Sequence, residues 1–354
     1  MKVLSVVGAR PQFVKLAPVS RVLAARGHDH IIVHTGQHYD ERMSDVFFRD
    51  LDIAPPDANL GVGSGTHGWQ TGAMLAAIEP VLEARRPDWV LVYGDTNSTL
   101  AAALASVKIE LPLAHLEAGL RSFNRRMPEE HNRVLTDHAA DLCLAPTQVA
   151  LNNLVAEGLG DRSVVTGDVM TDVCLSFAEK EPVLSEELKR AHGEYIVSTI
   201  HRAENTNDPS RLSEILGSLS RLPLPVILTA HPRLISKAKD FGLVLESGAV
   251  HLIPPLEYPQ MVDAVAGASA VLTDSGGLQK EAFLLGTPCV TIRTETEWTE
   301  TVDLGWNTLC PDPDDIAVAL SGPKPQPTYA TPYGDGHAAT RVIEALEEFR
   351  RATS

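Results

Sequence analysis

The sequence predicts an α/β chain made of two doubly wound parallel sheets with helices on both faces. Three observations carry that expectation. Short apolar runs alternate with helical patterns almost throughout the chain. The alternation lapses over a polar, Glu- and Lys-rich stretch from Ser176 to Glu194, and it then restarts with the same rhythm. Such runs, rich in Val, Ile and Leu, read as strands buried on both faces, and alternation with helices is the pattern of a parallel sheet.

In the first half, strands are expected at Lys2–Val7, His30–Thr35, Trp89–Tyr93, Leu113–Leu116, Leu142–Ala145 and Ser163–Thr166. Helices are expected at Pro11–Arg26, Asp40–Leu51, Trp69–Arg86, Asn97–Val107, Asn132–Ala139 and Gln148–Glu157. Pro11 suits a first helical turn, where a missing N–H leaves nothing unpaired. The second half supplies strands at Tyr195–Ile200, Pro225–Ala230, Val250–Ile253, Ala270–Thr273 and Pro288–Ile292, with a helix at Leu278–Leu285. The Pro- and Gly-rich segment Gly322–Gly336 reads as a second crossing, and the amphipathic stretch Ala338–Arg350 as a helix returning to the first half. Two Rossmann-like domains facing a cleft result, one of residues 1–166 plus 337–354 and one of 167–336.

Composition narrows the partners. A net charge of −16 disfavours a general nucleic-acid or anionic-membrane binder, since phosphate repulsion is not offset over the surface. It leaves room for a local basic pocket holding a small phosphorylated ligand. Cys143, Cys174, Cys289 and Cys310 lie far apart with no paired spacing, which reads as buried thiols in a reducing compartment. The opening run is too short for a signal or membrane segment and reads as the first core strand, so a cytoplasmic protein is expected.

The chemistry concentrates between Val92 and Arg133. Three acidic stations lie there: Tyr93-Gly94-Asp95-Thr96-Asn97-Ser98-Thr99, His115-Leu116-Glu117-Ala118-Gly119-Leu120-Arg121, and Arg126-Met127-Pro128-Glu129-Glu130-His131-Asn132-Arg133. The first two follow strands, and the carboxyl ends of parallel strands are where open α/β sheets bind ligands. Acids converging there beside arginines and histidines suggest proton transfer on a charged substrate.

Two turns look fit for phosphate. Thr273-Asp274-Ser275-Gly276-Gly277 runs from a strand into a helix, where free amides and the helix dipole favour an anion. Glu281 lies farther along that helix, within reach of ribose hydroxyls. In the first half, Gly8-Ala9-Arg10-Pro11 opens a helix that presents Lys15, and the two cations form a possible pyrophosphate cradle. The plainer readings are a tight turn for Ser-Gly-Gly and surface cations for Arg10 and Lys15. Gly63-Ser64-Gly65-Thr66-His67-Gly68 matches G-x-G-x-x-G, but it follows no central strand and does not open the first βα unit, so a glycine loop is expected rather than a dinucleotide site. His38, His201 and His231 stand at strand ends; His201 and His231 leave consecutive strands, which suits phosphate or leaving-group contacts. No metal-ligand spacing occurs in the sequence, and neither a metal nor a cofactor is expected.

Read together, these segments resemble the non-hydrolysing UDP-N-acetylglucosamine 2-epimerases, whose two lobes are GT-B-like. The matching motifs are Gly8-Ala9-Arg10-Pro11 with Lys15, Gly36-Gln37-His38, Gly94-Asp95-Thr96, Glu117–Arg121, Pro128–Arg133, His201-Arg202 with Glu204-Asn205, and Asp274–Gly277 with Gln279 and Glu281. They fall in the family's order across nearly the whole chain. The resemblance implies reversible C2 inversion of UDP-GlcNAc to UDP-ManNAc through expulsion of UDP, a 2-acetamidoglucal, and re-addition. It implies Asp95, Glu117 and Glu129 as acid/base carboxylates, with His201 assisting at the leaving phosphate and Arg133 orienting the acids. Arg10, Lys15, His231, Ser275, Gly276 and Gly277 become sugar-nucleotide contacts, Glu281 the ribose ligand, and Leu256 and Met261 part of the uracil region. Gln37, His38 and Gln70 resemble the neighbourhood of an activating second UDP-sugar. A homodimer is implied, with no nucleic-acid or membrane partner.

Three positions depart from the family pattern. Met261 stands where an aromatic residue is common, Lys280 replaces an acid, and Trp298 replaces an arginine, which points to a modified sugar. A hydrolysing epimerase releasing UDP and free N-acetylmannosamine, and a GT-B glycosyltransferase, are the alternatives.

Overall fold

The structure, a computed structural model, describes residues 1–37, 53–323, 325–328 and 330–353, with the side chain of Arg10 outside that set. His38 and the helix expected at Asp40–Leu51 therefore lie outside the described residues. The chain divides into two compact units, Met1–Val173 with Thr331–Ser354, and Cys174–Ala330. The first division falls inside the helix Val169–Ala178, later in the chain than residue 166.

In the first unit, strands β1 (Lys2–Val7), β2 (Asp29–His34), β3 (Ala58–Asn59), β4 (Trp89–Tyr93), β5 (Leu113–Leu116), β6 (Leu142–Ala145) and β7 (Ser163–Val165) form one parallel sheet in the order β3-β2-β1-β4-β5-β6-β7. Leu4 pairs with Ile31 on one side and with Val90 on the other, so β1 is central. Every residue of β4, β5 and β6 is buried, as expected of strands covered on both faces. The winding direction reverses between β1 and β4, and the crevice outside their carboxyl ends is the favoured ligand position in such a sheet.

Local chemistry explains the elements around that crevice. The helix Asn97–Lys108 starts where the Thr96 hydroxyl accepts from the Thr99 amide, and it buries Ala101, Ala102, Ala103 and Ala105. Those short side chains let it lie close against the sheet and against the helix His67–Arg85. The helix Pro128–Ala139 begins earlier than the apolar periodicity suggests. Pro128 is pre-set for a first turn, and Glu129 and Glu130 favour the positive end of the helix, so polar residues extend it. The terminal helix Ala338–Thr353 packs in this unit: Trp89 donates its indole N–H to the Leu346 carbonyl at 3.2 Å and meets the Phe349 ring edge-on at 5.5 Å.

The second unit has strands β8 (Ile196–Thr199), β9 (Val226–Thr229), β10 (Val250–Ile253), β11 (Ala270–Thr273), β12 (Cys289–Thr291) and β13 (Asn307–Leu309), all parallel, in the order β10-β9-β8-β11-β12-β13. Its strands show the two-residue period of a sheet filled on both sides. Ile196, Leu228, Leu272 and Val290 enter one apolar cluster, while Val197, Ile227, Val271 and Cys289 enter the other. The winding reverses between β8 and β11, and His201 and Ser275 follow those two strands. All four cysteines are buried. Among the described residues no helix is long and apolar enough to cross a membrane.

Candidate functional site

In the first unit, the turns after β1 and β4 are tied together by one side chain. Gln12 is buried; its carbonyl oxygen accepts from the Gly8 and Ala9 amides at 2.8 and 3.0 Å, and its amide donates to the Tyr93 carbonyl at 2.7 Å and to Thr96 at 3.0 Å. Less than a turn later, Lys15 donates to the Glu117 carboxylate. Burial pulls the Lys15 ammonium down, but Glu117, then Asp168 and Asp95, outweigh it and raise its pKa above the ordinary value. Arg133 reaches the Asp95 carboxylate at 2.5 Å and Glu130 at 3.3 Å, and Asn132 donates to the Asp95 carbonyl at 2.9 Å.

The backbone there is unusual. Glu117 sits at φ 73°, a left-handed conformation that costs a non-glycine residue roughly 1–3 kcal/mol. Gly94 lies at φ 61°, and a Cβ on it meets Glu117 Oε2 at 3.1 Å and Lys15 Nζ at 3.3 Å. Two carboxylates, each ion-paired, are thus held at the ends of adjacent strands by a constrained backbone, an arrangement suited to exchanging protons with a bound molecule.

The third acidic station resolves into two roles. Glu129 is exposed at the start of its helix, whereas Glu130 is buried and accepts from the Ser122 amide and hydroxyl at 3.0 Å each and from the Phe123 amide at 2.9 Å. Asp168 is a further buried acid near Lys15 that sequence reasoning missed; it also accepts from the Met170 amide at 2.8 Å. Its signal was there to read, since it follows β7 as Asp95 follows β4.

Beside this cluster, Gln70 donates to the Gly63 carbonyl at 2.8 Å and accepts from Asn97 at 2.8 Å, while Gln37 accepts from the Ser98 amide and hydroxyl at 3.0 and 2.6 Å. Gln37 and Gln70 thus share one polar network around the start of the helix Asn97–Lys108.

In the second unit Asp274 is wholly buried and organises the turn after β8. It accepts from the His201 amide at 3.0 Å, the Arg202 amide at 2.9 Å and Asn205 Nδ2 at 3.1 Å, and the His201 ring stands 3.4 Å away. Burial, helped by Arg202 and Arg233, lowers the His201 pKa despite Asp274. His231 is exposed, with its ring 5.4 Å from that of His201.

Ser275 caps the helix Gly276–Leu284 through the Leu278 amide. A Cβ on Gly276 comes within 2.3 Å of Glu297 Oε1, so no larger residue fits that turn unless Glu297 moves. Burial raises the Glu297 carboxyl, but Arg293, at 3.0 Å, and Arg202 more than offset it and hold it low. Arg293 and Glu297 were not assigned roles by motif, although both lie just past the end of β12. Gly277 is exposed and Glu281 is buried on the same helix, while Leu256 and Met261 pack against the cluster of Tyr195, Val197 and Val271.

The departures at Lys280 and Trp298 meet each other. Both are buried, and the Lys280 ammonium lies 4.1 Å from the centre of the Trp298 ring, a cation–π contact that joins the helix Gly276–Leu284 to the segment after β12.

The model of the UDP-N-acetylglucosamine 2-epimerase family matches residues 21–347. The chain is 46% identical over 356 residues to a UDP-2,3-diacetamido-2,3-dideoxy-D-glucuronate 2-epimerase of Pseudomonas aeruginosa, covering 98% of this chain and 99% of the relative. It is 40% identical over 360 residues to a UDP-N-acetylglucosamine 2-epimerase of Methanococcus maripaludis, covering 98% of each. The crystal structure of the Methanocaldococcus jannaschii UDP-GlcNAc 2-epimerase in complex with UDP-GlcNAc and UDP superposes with a TM-score of 0.88 at 38% identity, over 98% of this chain and 100% of that one. With 98% of its length matched by such relatives, the chain belongs to the UDP-N-acetylglucosamine 2-epimerase family.

Proposed function

We propose that this protein inverts C2 of a UDP-linked 2-acetamido sugar without net hydrolysis, with UDP-GlcNAc and UDP-ManNAc as the interconverted pair. The observation that carries the reading is the ion-paired set Lys15–Glu117 and Arg133–Asp95 at the ends of β5 and β4.

The C2–H of such a sugar is not alpha to a carbonyl, so simple enolisation is closed to it. Elimination opens a route: a carboxylate takes the C2 proton, the C1–O bond to the diphosphate breaks, and UDP departs with the electron pair, leaving a C1=C2 double bond. Return of a proton to the opposite face of C2, with attack of the diphosphate oxygen on C1, completes the inversion. Asp95, Glu117 and Glu129 are the proton carriers in this reading. The Ser275-Gly276-Gly277 turn and Lys15 hold diphosphate charge, and His201 donates to the leaving phosphate oxygen. Arg133 orients Asp95, Glu281 receives the ribose, and Leu256 and Met261 line the base. Gln37 and Gln70 belong to the site of an activating UDP-sugar, and the protein acts as a homodimer.

A second reading of the substrate is favoured by one observation. The relative acting on a 2,3-diacetamido glucuronate is more similar, at 46%, than the UDP-N-acetylglucosamine epimerase at 40%, and the departures at Lys280 and Trp298 lie in the second unit. Both sugars present the same C2–H, so the same carboxylates serve either.

NMR in deuterated water with each UDP-sugar in turn tests both readings. The expected result is a second UDP-sugar and deuterium at C2 in both epimers. Accumulation of UDP with free sugar marks a hydrolysing enzyme, and loss of neither C2–H nor UDP from either compound rejects the assignment. Sedimentation in the same buffer tests the dimer.

A further inference from the structure

His115 lies in β5, wholly buried, and opens the second acidic station without a role of its own. Its Nδ1 is 2.6 Å from Asp137 Oδ1, and its Nε2 is 2.7 Å from the Gly94 carbonyl oxygen. A carbonyl oxygen only accepts, so the ring donates from Nε2 to Gly94, while Nδ1 is paired with Asp137. Burial pushes the Asp137 carboxyl up, but His115 and Arg121 outweigh burial and keep it below its ordinary range.

The other Asp137 oxygen accepts from the Gly119 amide at 3.1 Å and from Arg121 at 2.7 Å, and Arg121 in turn grips both oxygens of Glu157 at 2.7 and 2.8 Å. A chain of ion pairs and hydrogen bonds thus runs from Glu157 through Arg121, Asp137 and His115 to the Gly94 carbonyl. Gly94 precedes Asp95. Glu117 lies between His115 and Gly119, both of which Asp137 holds.

We propose that His115, locked by Asp137, is a positioning residue that sets the distance between the Asp95 and Glu117 carboxylates. It touches no reacting atom, being buried behind the two turns. The chain turn after β4 hangs on its Nε2, and the strained turn at Glu117 is fixed by its own backbone and by Asp137. A core ion network with no such role would be worth little on balance, because replacing buried ion pairs with well-packed apolar groups is often neutral. Stability alone therefore does not separate the two accounts. This inference rests on the proposed epimerisation.

The test compares His115→Phe, His115→Gln and Asp137→Asn with the native enzyme. Phe fills the space and donates nothing. Gln restores a donor toward Gly94, and in Asp137→Asn a neutral His115 still donates from Nε2. The expected kcat for C2 deuterium exchange falls about 100-fold in His115→Phe with KM within threefold, as for a displacement of about an ångström at the reacting groups. His115→Gln and Asp137→Asn recover to within about tenfold of the native kcat.

Nitrogen-15 NMR of histidine-labelled native protein reads the ring independently of activity and of whether any variant folds; a proton on His115 Nε2 is expected. The inference is overturned if Nε2 of that ring carries no proton, if His115→Phe keeps kcat within threefold, or if kcat falls equally in all three variants. Failure of the native enzyme to exchange C2–H sinks the functional reading instead, and the ring spectrum still decides the donation to Gly94.

Discussion

Replacing Gly94 by alanine separates the placement of the carboxylates from the stability of the fold. The residue sits at φ 61°, where an L side chain costs about 1–2 kcal/mol. Gly27 offers a control, since it sits at φ 70° and a Cβ there would meet nothing within 4 Å. Alanine at either position therefore carries the same backbone strain, and both variants should lose about 1–2 kcal/mol in urea unfolding. Only at Gly94 does the new methyl press on the site, at 3.1 Å from Glu117 Oε2 and 3.3 Å from Lys15 Nζ. Those are the tips of long side chains, so they yield by fractions of an ångström at little cost in stability. The carboxylate then no longer stands where the proton transfer needs it, and a misplacement approaching an ångström costs roughly 100-fold in rate. The expected outcome is matched unfolding free energies with a kcat for C2 exchange at least tenfold lower in Gly94→Ala than in Gly27→Ala. Equal kcat values in the two variants would refute the claim that the Lys15–Glu117 pair must stay where Gly94 lets it stand.

Three further outcomes follow from the same structure. Glu129→Gln should lower the exchange rate by roughly 100-fold with stability changed by under about 0.5 kcal/mol, whereas Glu130→Gln should lose about 1–3 kcal/mol because its carboxylate satisfies the Ser122 and Phe123 amides; urea midpoints and kcat read both. Burial holds the His30 pKa down at about 4, against weaker pulls from Asp57 and Asp29, so the folded state resists a proton the unfolded state accepts near 6.5. The stability is complete above pH 6.5 and declines as pH falls toward 4, by up to roughly 3 kcal/mol, and His30→Asn should flatten that slope in unfolding midpoints taken between pH 7 and 4.5. The Cys143 and Cys289 thiols are pushed up to about 12 by burial, so a thiol reagent at pH 8 should leave them unreacted in the native protein and label all four cysteines in guanidinium.

Much of the site was legible because its residues follow strands. Asp95, Glu117, His201 and Ser275 each stand just past an apolar run whose end is readable from composition, and strand ends are where a parallel sheet presents groups to a ligand. What escaped reading were residues defined by partners far along the chain. Gln12 works through the Tyr93 carbonyl and Asp137 through His115, and no periodicity announces such pairs. The short edge strand β13 and the start of the helix at Pro128 escaped for a related reason. Neither has enough apolar residues to register as a pattern, and pairing with β12 or the helix dipole decides them.

By itself, then, the amino-acid order determined the two parallel-sheet units, the strands that end at the acids and at the Ser275 turn, and the family motifs those ends carry. These are local properties, written in runs of Val, Ile and Leu and in the residues that close them. Only the tertiary structure decided that Glu130 is buried while Glu129 is exposed, that Lys280 lies over Trp298, and that His115 is clasped between Asp137 and the Gly94 carbonyl. Burial and hydrogen-bond partnership are set by which segments the sheet order brings side by side, and that order is a property of the whole packed unit rather than of any stretch within it.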